Sequence, residues 1–300
     1  MKIELTLDDL FADFILQCKR KNLSKYTIND YENKYKYFKH TIDCDTICSE
    51  VNKKMIDNWI LTLNHKKDTT INSYIRSIKP FLYYGMDEGL IERFNISTIA
   101  VRDRDNKIPY TENELRKLLT RPNIKSCTFA ELRTWFACTL LATTGIRLSS
   151  LLDIRLSDAD IENKILYINR TKNRKKQILP ISDTLFASYT YYIRFRKGND
   201  TDYLICTDRG NKMTCSGFQT ALRKYCTKRG VDKHSAHLFR HTFAREWIIN
   251  NGNLFKLQKQ LGHSSLDMVR NYVAMYDNDL VGLENPIDKI MRKNERIRIK

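Results

Sequence analysis

The first hundred residues place apolar side chains at helical spacing. In LTLDDLFADFILQCKRK the apolar positions recur every three or four residues, and basic residues close the segment. SKYTINDYENKYKYFKHT puts aromatic residues on one side and lysines on another. DTTINSYIRSIKPFLYYGMDEG has the same period and meets helix-ending glycines at its close. These segments predict a compact all-α module over 1–100.

A charged stretch containing Pro109 interrupts this pattern. VRDRDNKIPYTENEL lacks an apolar period, and it reaches Thr111 with Glu114 three residues later. That pair is the signature of a capping box, in which each side chain binds the other residue's backbone N–H at the start of a helix. We therefore predict a linker at 101–110 and a second domain over 111–285.

The second domain combines helical segments with one clear β signal. In KILYINRTKNRKKQILPI, apolar residues alternate with polar ones on either side of a basic turn, which predicts a hairpin with Ile165, Tyr167 and Ile178 as its alternating positions. DYLICTDRG is a candidate for a further strand that ends at Asp208–Gly210. The predicted fold is mainly α with a small β-hairpin or sheet.

The composition narrows the class of protein. No run of 18 or more apolar residues occurs, and the acidic N-terminus does not resemble a signal peptide, so we expect a cytoplasmic protein without a membrane partner. The eight cysteines are scattered and form no CxxC pair. They are interpreted as reduced thiols, and no metal site is predicted.

The positive charge is confined to one part of the chain. The net charge is +17, yet residues 1–105 hold 17 Lys and Arg against 16 Asp and Glu. The remaining 35 basic and 19 acidic residues lie in 106–300. A surplus concentrated in this way indicates a polyanionic partner, most commonly nucleic acid, although lysine-rich codon usage also raises basic content.

Three short segments of the second domain carry candidate chemistry. AHLFRHTFA places His237 and Arg240 three residues apart, hence on one face of a helix, inside an otherwise apolar segment. QLGHSSLDMVRNYVAMY places His263 at a glycine turn and Tyr272 nine residues later. Arg147 follows Gly145 after an apolar helix. A histidine and an arginine on a half-buried face favour binding of an anion.

Taken together, GIR, HLFRH, LGHSS and Tyr272 resemble the signature of the tyrosine recombinase family, which includes phage integrases. Their order and spacing agree with that family, and the basic hairpin lies between the first and second motifs. The resemblance implies two domains: an all-α SAM-like core-binding domain and a mixed α/β catalytic domain. It also implies an enzyme that cuts and rejoins double-stranded DNA without a cofactor.

The resemblance assigns a role to each motif residue. Tyr272 is the nucleophile, which would attack the scissile phosphate and leave a 3′-phosphotyrosine. Arg147 and Arg240 would grip the non-bridging oxygens. His237 would accept or relay a proton, and His263 would donate a hydrogen bond to the phosphate.

Lys172, at the hairpin turn, would protonate the leaving 5′-oxygen. Its neighbours Arg170, Arg174, Lys175 and Lys176 leave this assignment open. Tyr276, one helical turn after Tyr272, is the rival nucleophile.

Three positions depart from the family pattern. Ser150 stands where the family commonly has an acidic residue three positions after its first arginine, which puts the bracing of Arg147 in question. Phe239 and Ala236 replace a usual leucine and a frequent proline, and both are expected to be tolerated in packing.

DNA contacts outside the catalytic motifs are predicted for basic residues of the helical module and the hairpin. The candidates are Lys19, Arg20, Lys21, Lys25, Lys34, Arg76, Arg170, Arg174, Lys175 and Lys176. The resemblance implies a homotetramer on a specific recombination site and leaves accessory proteins open. It also suggests that the basic tail, 286–300, docks onto a neighbouring subunit, with Ile290, Ile297 and Ile299 as anchors.

The module begins almost at Met1, so no arm-site-binding domain is expected. This favours a simple recombinase of a mobile element, or one that resolves DNA multimers. A type IB topoisomerase would use the same residues on a single duplex, and a non-catalytic DNA-binding protein would retain only the fold. A metal-dependent nuclease fits less well, because the motifs contain no acidic metal-binding cluster.

Overall fold

The computed structural model describes residues 5–43, 45–102, 108–169, 176–263, 265–266, 269–270 and 272. The chain divides into two compact units, Met1–Asp105 and Asn106–Lys300. None of the described helices is long and apolar enough to cross a bilayer.

Unit 1 is all α. It contains α1 (Leu7–Arg20), α2 (Lys25–Lys39), α3 (Lys53–Thr62) and α4 (Asp68–Asp87). Side chains cap the first three helices at Thr6, Ser24 and Asn52, each accepting a backbone N–H and so satisfying a donor that the helix leaves unpaired. The apolar faces meet in one core around α4, which buries Ile75, Phe81 and Leu82.

The segment after α4 is held along that helix by side chains. Asn72 accepts the N–H of Ile99 and donates to its carbonyl, both over 2.9 Å. Asp68 accepts the N–H of Arg102, and Lys79 donates to the carbonyl of Ile96. Because α4 side chains supply these partners, the chain remains bound to unit 1 as far as Arg102.

Unit 2 is mixed. Within the described residues its helices include α5 (Glu112–Leu119), α6 (Phe129–Thr144), α7 (Leu148–Leu151), α8 (Asp183–Ile193), α9 (Cys215–Lys228), α10 (Ala236–Ile249) and α11 (Leu254–Leu261). The predicted capping box is present at the start of α5. Helix α6 is buried nearly all round and packs against α5, α8, α9 and α10. Tyr110 is also buried here, donating its N–H to Thr242 Oγ1.

The predicted hairpin forms, within a sheet of three antiparallel strands. β1 (Ala159–Asp160) pairs with β2 (Ile165–Ile168), which pairs with β3 (Gln177–Pro180). The buried side consists of Leu166, Ile168 and Leu179, whereas Tyr167 and Ile178 face outward. The alternation therefore indicated the strands, but the neighbouring apolar residues of the same strands form the core face.

The prediction of a strand in DYLICTDRG is wrong. Leu204, Ile205 and Cys206 are buried, but the segment makes only isolated bridges, Arg155↔Tyr203 and Cys206↔Lys212. A turn closed by Gly210 lies between the two sides of the second bridge. The apolar run fills the core beside α6 as an irregular segment, because burial alone does not distinguish a strand from a packed loop. The mainly α fold with a small sheet is confirmed.

Candidate active site

Helix α10 carries the first group of site residues. His237 and Arg240 lie three residues apart in its first turns, so they share one side of the helix. His237 is exposed, whereas only 2% of Arg240 is exposed. This side of α10 is thus buried at Arg240 and reaches solvent at His237.

The end of α6 brings Arg147 to the same region. Gly145 ends the helix in the left-handed conformation (φ 64°), and its N–H donates to the carbonyl of Leu141. A Cβ at Gly145 would lie 2.6 Å from Phe243 Cδ1, so glycine is required for space as well as for conformation. The chain reverses there, buries Ile146 and places Arg147 immediately before α7.

A second glycine turn ends α11 and places His263. Gly262 is left-handed (φ 62°) and donates its N–H to Lys259, while the N–H of His263 donates to Gln258. This pair of bonds is a Schellman motif. The carbonyls of Gln260, Leu261 and Gly262 are left over as acceptors at the helix end, where the helix dipole favours positive charge.

Arg240 uses these two helix ends as its acceptors. Its Nη1 donates to the carbonyl of Gly145 and its Nη2 to the carbonyl of Leu261, each over 2.8 Å. Nη2 also lies 2.5 Å from Nε2 of His263. A planar guanidinium with fixed donors suits such a set of acceptors, whereas a lysine ammonium would not span them.

Arg147 is held by the same helix end. Its Nη1 lies 3.4 Å from the carbonyl oxygens of Leu261 and Gly262. The side chain is half-buried, since it is partly covered by the protein and partly open to solvent. Leu261 therefore supplies one carbonyl to both arginines, which fixes the two guanidiniums next to each other.

Tyr272 lies among these groups. Its side chain is 7% exposed, and it lies close enough to Arg240 to raise the pKa of that arginine. The ring centroid lies 6.0 Å from that of His263, with the planes 2° apart. It lies 5.2 Å from the ring of His241 at 65°. The buried ring of Tyr272 is therefore contacted by histidines from α10 and from the turn after α11.

The electrostatics of the cluster reflect positive charges packed together. Burial, and then Arg147, lower the pKa of Arg240 to about 10, so it remains charged at neutral pH. Burial also lowers the pKa of Arg147. Burial, with the charges of Arg240, Arg147 and His237, lowers the pKa of His263 to about 4. That imidazole is therefore neutral at physiological pH.

Neutral His263 has a defined tautomer if Arg240 donates to its Nε2, because the ring proton must then lie on Nδ1. Nδ1 is buried and has no hydrogen-bond partner among the described residues. No acidic side chain contributes to the pKa shifts of Arg147, Arg240 or His263. The described groups thus form a receptor for an anion beside a phenol hydroxyl.

The structure brings together Arg147, His237, Arg240, His263 and Tyr272 of the predicted catalytic set. Lys172 lies outside the described residues, as do Arg170, Arg174, Lys175 and Tyr276. Lys176 is described and exposed, just before β3. No group of three or more His, Cys, Asp or Glu side chains within the described ranges is arranged to hold a metal ion.

The six predicted DNA contacts of unit 1 lie on three helices. Lys19 and Arg20 end α1 and Lys21 caps it, while Lys25 begins α2 and Arg76 lies on α4, all of them exposed. Lys34 is partly buried and stacks over the ring of Tyr74 at 4.1 Å. Lys34 is therefore already engaged within the module, while the other five are open to solvent.

Two residues of the site were missed by the sequence analysis. His241 was part of the HLFRH motif but received no role, although its ring contacts that of Tyr272. Gln177, the first residue of β3, donates Nε2 to the carbonyls of Lys259 (3.1 Å) and Gln260 (2.5 Å). The repeated His at 237 and 241 was a usable signal for the first, whereas backbone acceptors leave no trace in the sequence.

Ser150, which stands where the family commonly has an acid, is buried at the end of α7. The described partners of the Arg147 guanidinium are carbonyl oxygens of the α11 end. Bracing of this arginine therefore comes from backbone, which does not require a carboxylate at position 150.

Comparisons with known proteins agree with this arrangement. The phage integrase family matches residues 110–279. A tyrosine recombinase of Pseudothermotoga lettingae is 26% identical over 280 residues, covering 90% of this chain and 93% of the relative. Tyrosine recombinase XerD of Oceanobacillus iheyensis is 26% identical over 284 residues, with the same coverage of 90% and 93%.

Two solved structures share the fold. The Tn1549 transposon integrase in complex with a circular intermediate DNA has a TM-score of 0.74 and 20% identity, covering 98% of this chain and 100% of that chain. A lambda integrase dimer bound to a core site has a TM-score of 0.71 and 17% identity, covering 89% and 95%. Since the family match spans more than half of the sequence, the chain belongs to the phage integrase family of tyrosine recombinases, enzymes that cut and rejoin DNA strands without a metal cofactor.

Proposed function

We propose that this chain is a site-specific recombinase that breaks and reseals DNA through a 3′-phosphotyrosine on Tyr272. The observation that carries the proposal is the burial of Tyr272 against His263, whose Nε2 lies 2.5 Å from Arg240 Nη2, inside a cluster of positive groups. A phosphodiester bound to that guanidinium would lie beside the phenol oxygen. Binding and attack would then take place at one position.

The cleavage step assigns one task to each side chain. Arg147 and Arg240 hold the non-bridging oxygens and stabilise the charge that builds up as the phosphorus becomes pentacoordinate. The phenol oxygen of Tyr272 forms a bond to phosphorus while the bond from phosphorus to the 5′-oxygen breaks. The phenolic proton passes to His237, and Lys172 gives a proton to the leaving 5′-oxygen.

The covalent intermediate conserves the phosphodiester bond energy, so no nucleotide cofactor is needed. A 5′-hydroxyl from a partner strand reverses the step and joins the new strand. His263 contributes through its position against Arg240: when a phosphate oxygen takes the place of that contact, the ring proton moves from Nδ1 to Nε2, and the imidazole donates a hydrogen bond to the phosphate. The two glycine turns keep these groups in register before DNA arrives.

The DNA substrate is a duplex recombination site bound by a homotetramer, and the biological task is either movement of a mobile element or resolution of DNA multimers. The DNA complexes of the structural neighbours support a duplex substrate. The transposon integrase supports the first task, and the Xer relatives are compatible with the second. Basic residues of both units would add phosphate contacts, which supply affinity rather than sequence discrimination. The tail, 286–300, would join neighbouring subunits.

Covalent trapping tests the proposal. The purified chain is incubated in EDTA with nicked duplexes that include DNA flanking its own gene, and adducts are digested and mapped by mass spectrometry. We expect an adduct on Tyr272 that is lost in Tyr272→Phe and Arg240→Ala but retained in the matched variant Tyr276→Phe. Sequencing the attached DNA identifies the site and thereby the task.

An adduct on Tyr276 would reassign the nucleophile. Tight binding of the same DNA without any adduct would exclude the enzymatic proposal and favour a recognition protein. Relaxation of a supercoiled plasmid that lacks the recovered site would favour a topoisomerase.

A further inference from the structure

His241 is a second buried histidine of the site, and the mechanism above leaves it unused. It lies one helical turn after His237 and next to Arg240 on α10, so His237 shares a side of the helix with each of them. Its side chain is 8% exposed, and its ring lies 4.6 Å from that of His237 at 85°. A polar ring that is buried beside the proposed nucleophile is a candidate for a function in the site.

Two imidazoles contact the Tyr272 ring. His241 meets it at 5.2 Å with an interplanar angle of 65°, and His263 lies at 6.0 Å nearly parallel to it. These are the edge-on and offset distances at which aromatic rings attract. The two histidines come from α10 and from the turn after α11, so two separate elements fix the plane of the phenol ring.

Apolar side chains among the described residues also pack around the ring. Tyr272 belongs to a small core cluster with Ala244, Leu257, Leu261 and Val269. Apolar contacts keep the ring buried but do not select its direction, since they are not directional. The edge-on contact from His241 does restrict the orientation of the phenol ring. His241 directly follows Arg240, whose guanidinium the hydroxyl must reach.

We propose that His241 is a positioning residue for Tyr272: its imidazole closes one side of the phenol ring and keeps the hydroxyl at Arg240. The inference rests on the proposed function in which Tyr272 is the nucleophile. Because α10 carries both His241 and Arg240, one helical turn sets the direction of the ring and the position of the phosphate. Attack requires both, and a misplacement of about 1 Å can slow a reaction about a hundredfold.

The proposed role depends on the shape of the ring and not on proton transfer. We therefore expect His241→Phe and His241→Leu to have different effects. Phenylalanine retains an aromatic ring that can meet Tyr272 edge-on, whereas leucine fills a similar volume without one. His234→Ala is the matched control, since it removes an exposed histidine of the same unit. Each variant is measured for melting temperature, affinity for the nicked duplex, and single-turnover cleavage with DNA in excess.

We expect His241→Phe to cleave within about threefold of the unmodified chain and His241→Leu to be slowed about tenfold or more. DNA affinity should stay within about twofold in every variant, since the loss is one of geometry in the bound complex. The pH profile of His241→Phe should superimpose on that of the unmodified chain. Equal slowing of the Phe and Leu variants, or cleavage unaffected in both, would overturn the positioning role.

A readout without DNA distinguishes failure of this inference from failure of the proposed function. Nitration of Tyr272 by tetranitromethane, mapped by mass spectrometry, reports how well the ring is held. Nitration should be faster in His241→Leu and unchanged in His241→Phe and His234→Ala. Unchanged nitration in His241→Leu contradicts the inference, whereas the absence of any Tyr272 adduct with DNA contradicts the proposed function.

Discussion

The guanidinium of Arg240 donates to the backbone carbonyl of Gly145 over 2.8 Å, although 95 residues separate them along the chain. The bond ties the end of α6 to the first turn of α10 at the centre of the site. Its other acceptors, the Leu261 carbonyl and His263 Nε2, belong to the end of α11. Arg240 is thus a structural link between three helices as well as the proposed phosphate ligand.

Replacement of Arg240 by lysine should impair both roles. One ammonium cannot reach all of the guanidinium's acceptors, so buried carbonyls lose their donors, and we expect the free energy of unfolding to fall by about 1–3 kcal/mol. Strand cleavage should fall about a hundredfold or more. Urea denaturation and single-turnover cleavage measure the two effects.

Arg245→Lys is the control for that exchange, because Arg245 lies on the same helix and pairs with the exposed Glu246. Its unfolding free energy should change by less than about 0.5 kcal/mol. Cleavage by Arg240→Lys at the rate of Arg245→Lys would contradict the assigned role of the guanidinium.

Gly145→Ala should destabilise the chain more than the same change at another left-handed glycine. At Gly145 the new Cβ would meet Phe243 and Leu261 at 2.6 and 2.8 Å, in addition to the left-handed strain. We expect a loss of about 2–4 kcal/mol of unfolding free energy. At Gly210 nothing lies within 4 Å, so Gly210→Ala should lose only the strain, about 1–2 kcal/mol. Equal losses by urea denaturation would show that the close contacts at Gly145 relax.

The lowered pKa of His263 predicts a pH-dependent stability. Its pKa falls from 6.5 to about 4 on folding, so between these values the unfolded chain binds a proton that the folded chain does not. The free energy of unfolding therefore rises with pH across this window. The contribution of His263 to stability is lost as the pH falls from 6.5 towards 4. The slope approaches about 1.4 kcal/mol per pH unit, with a total of at most about 3 kcal/mol.

Urea denaturation between pH 7.5 and 4.5 isolates this contribution when the unmodified chain is compared with His263→Gln. The variant should lack the additional slope, while His234→Gln, which alters an exposed histidine, should retain it. Parallel curves for His263→Gln and the unmodified chain would show that His263 titrates normally in the folded protein.

Gln177→Ala should weaken the attachment of the hairpin to the site. Two hydrogen bonds to the last turn of α11 are lost, and we expect about 1–2 kcal/mol less stability and about tenfold slower cleavage. Gln177→Glu should be worse, because a carboxylate would face carbonyl oxygens. The control is Ile178→Ala, the next residue, whose side chain is exposed. A Gln177→Ala variant as active as Ile178→Ala would show that the attachment does not influence catalysis.

The sequence alone was sufficient for features that depend on local physical chemistry. The helical period of the first hundred residues, the capping box at Thr111 and Glu114, and the hairpin around its basic turn all arise from residues a few positions apart. The resemblance also identified Arg147, Arg240 and Tyr272 as residues to examine. Short-range patterns can be recognised in a sequence because i to i+4 spacing in helices and alternation in strands are properties of the backbone itself.

Tertiary structure decided what those patterns leave open. Packing made Leu166 and Leu179, rather than Tyr167 and Ile178, the buried residues of the hairpin, and turned DYLICTDRG into a packed loop. Packing also supplied the carbonyls of Gly145 and Leu261 as partners of Arg240. Every residue has the same backbone carbonyl, so only the three-dimensional arrangement determines which carbonyl meets which guanidinium, and which histidine meets the ring of Tyr272.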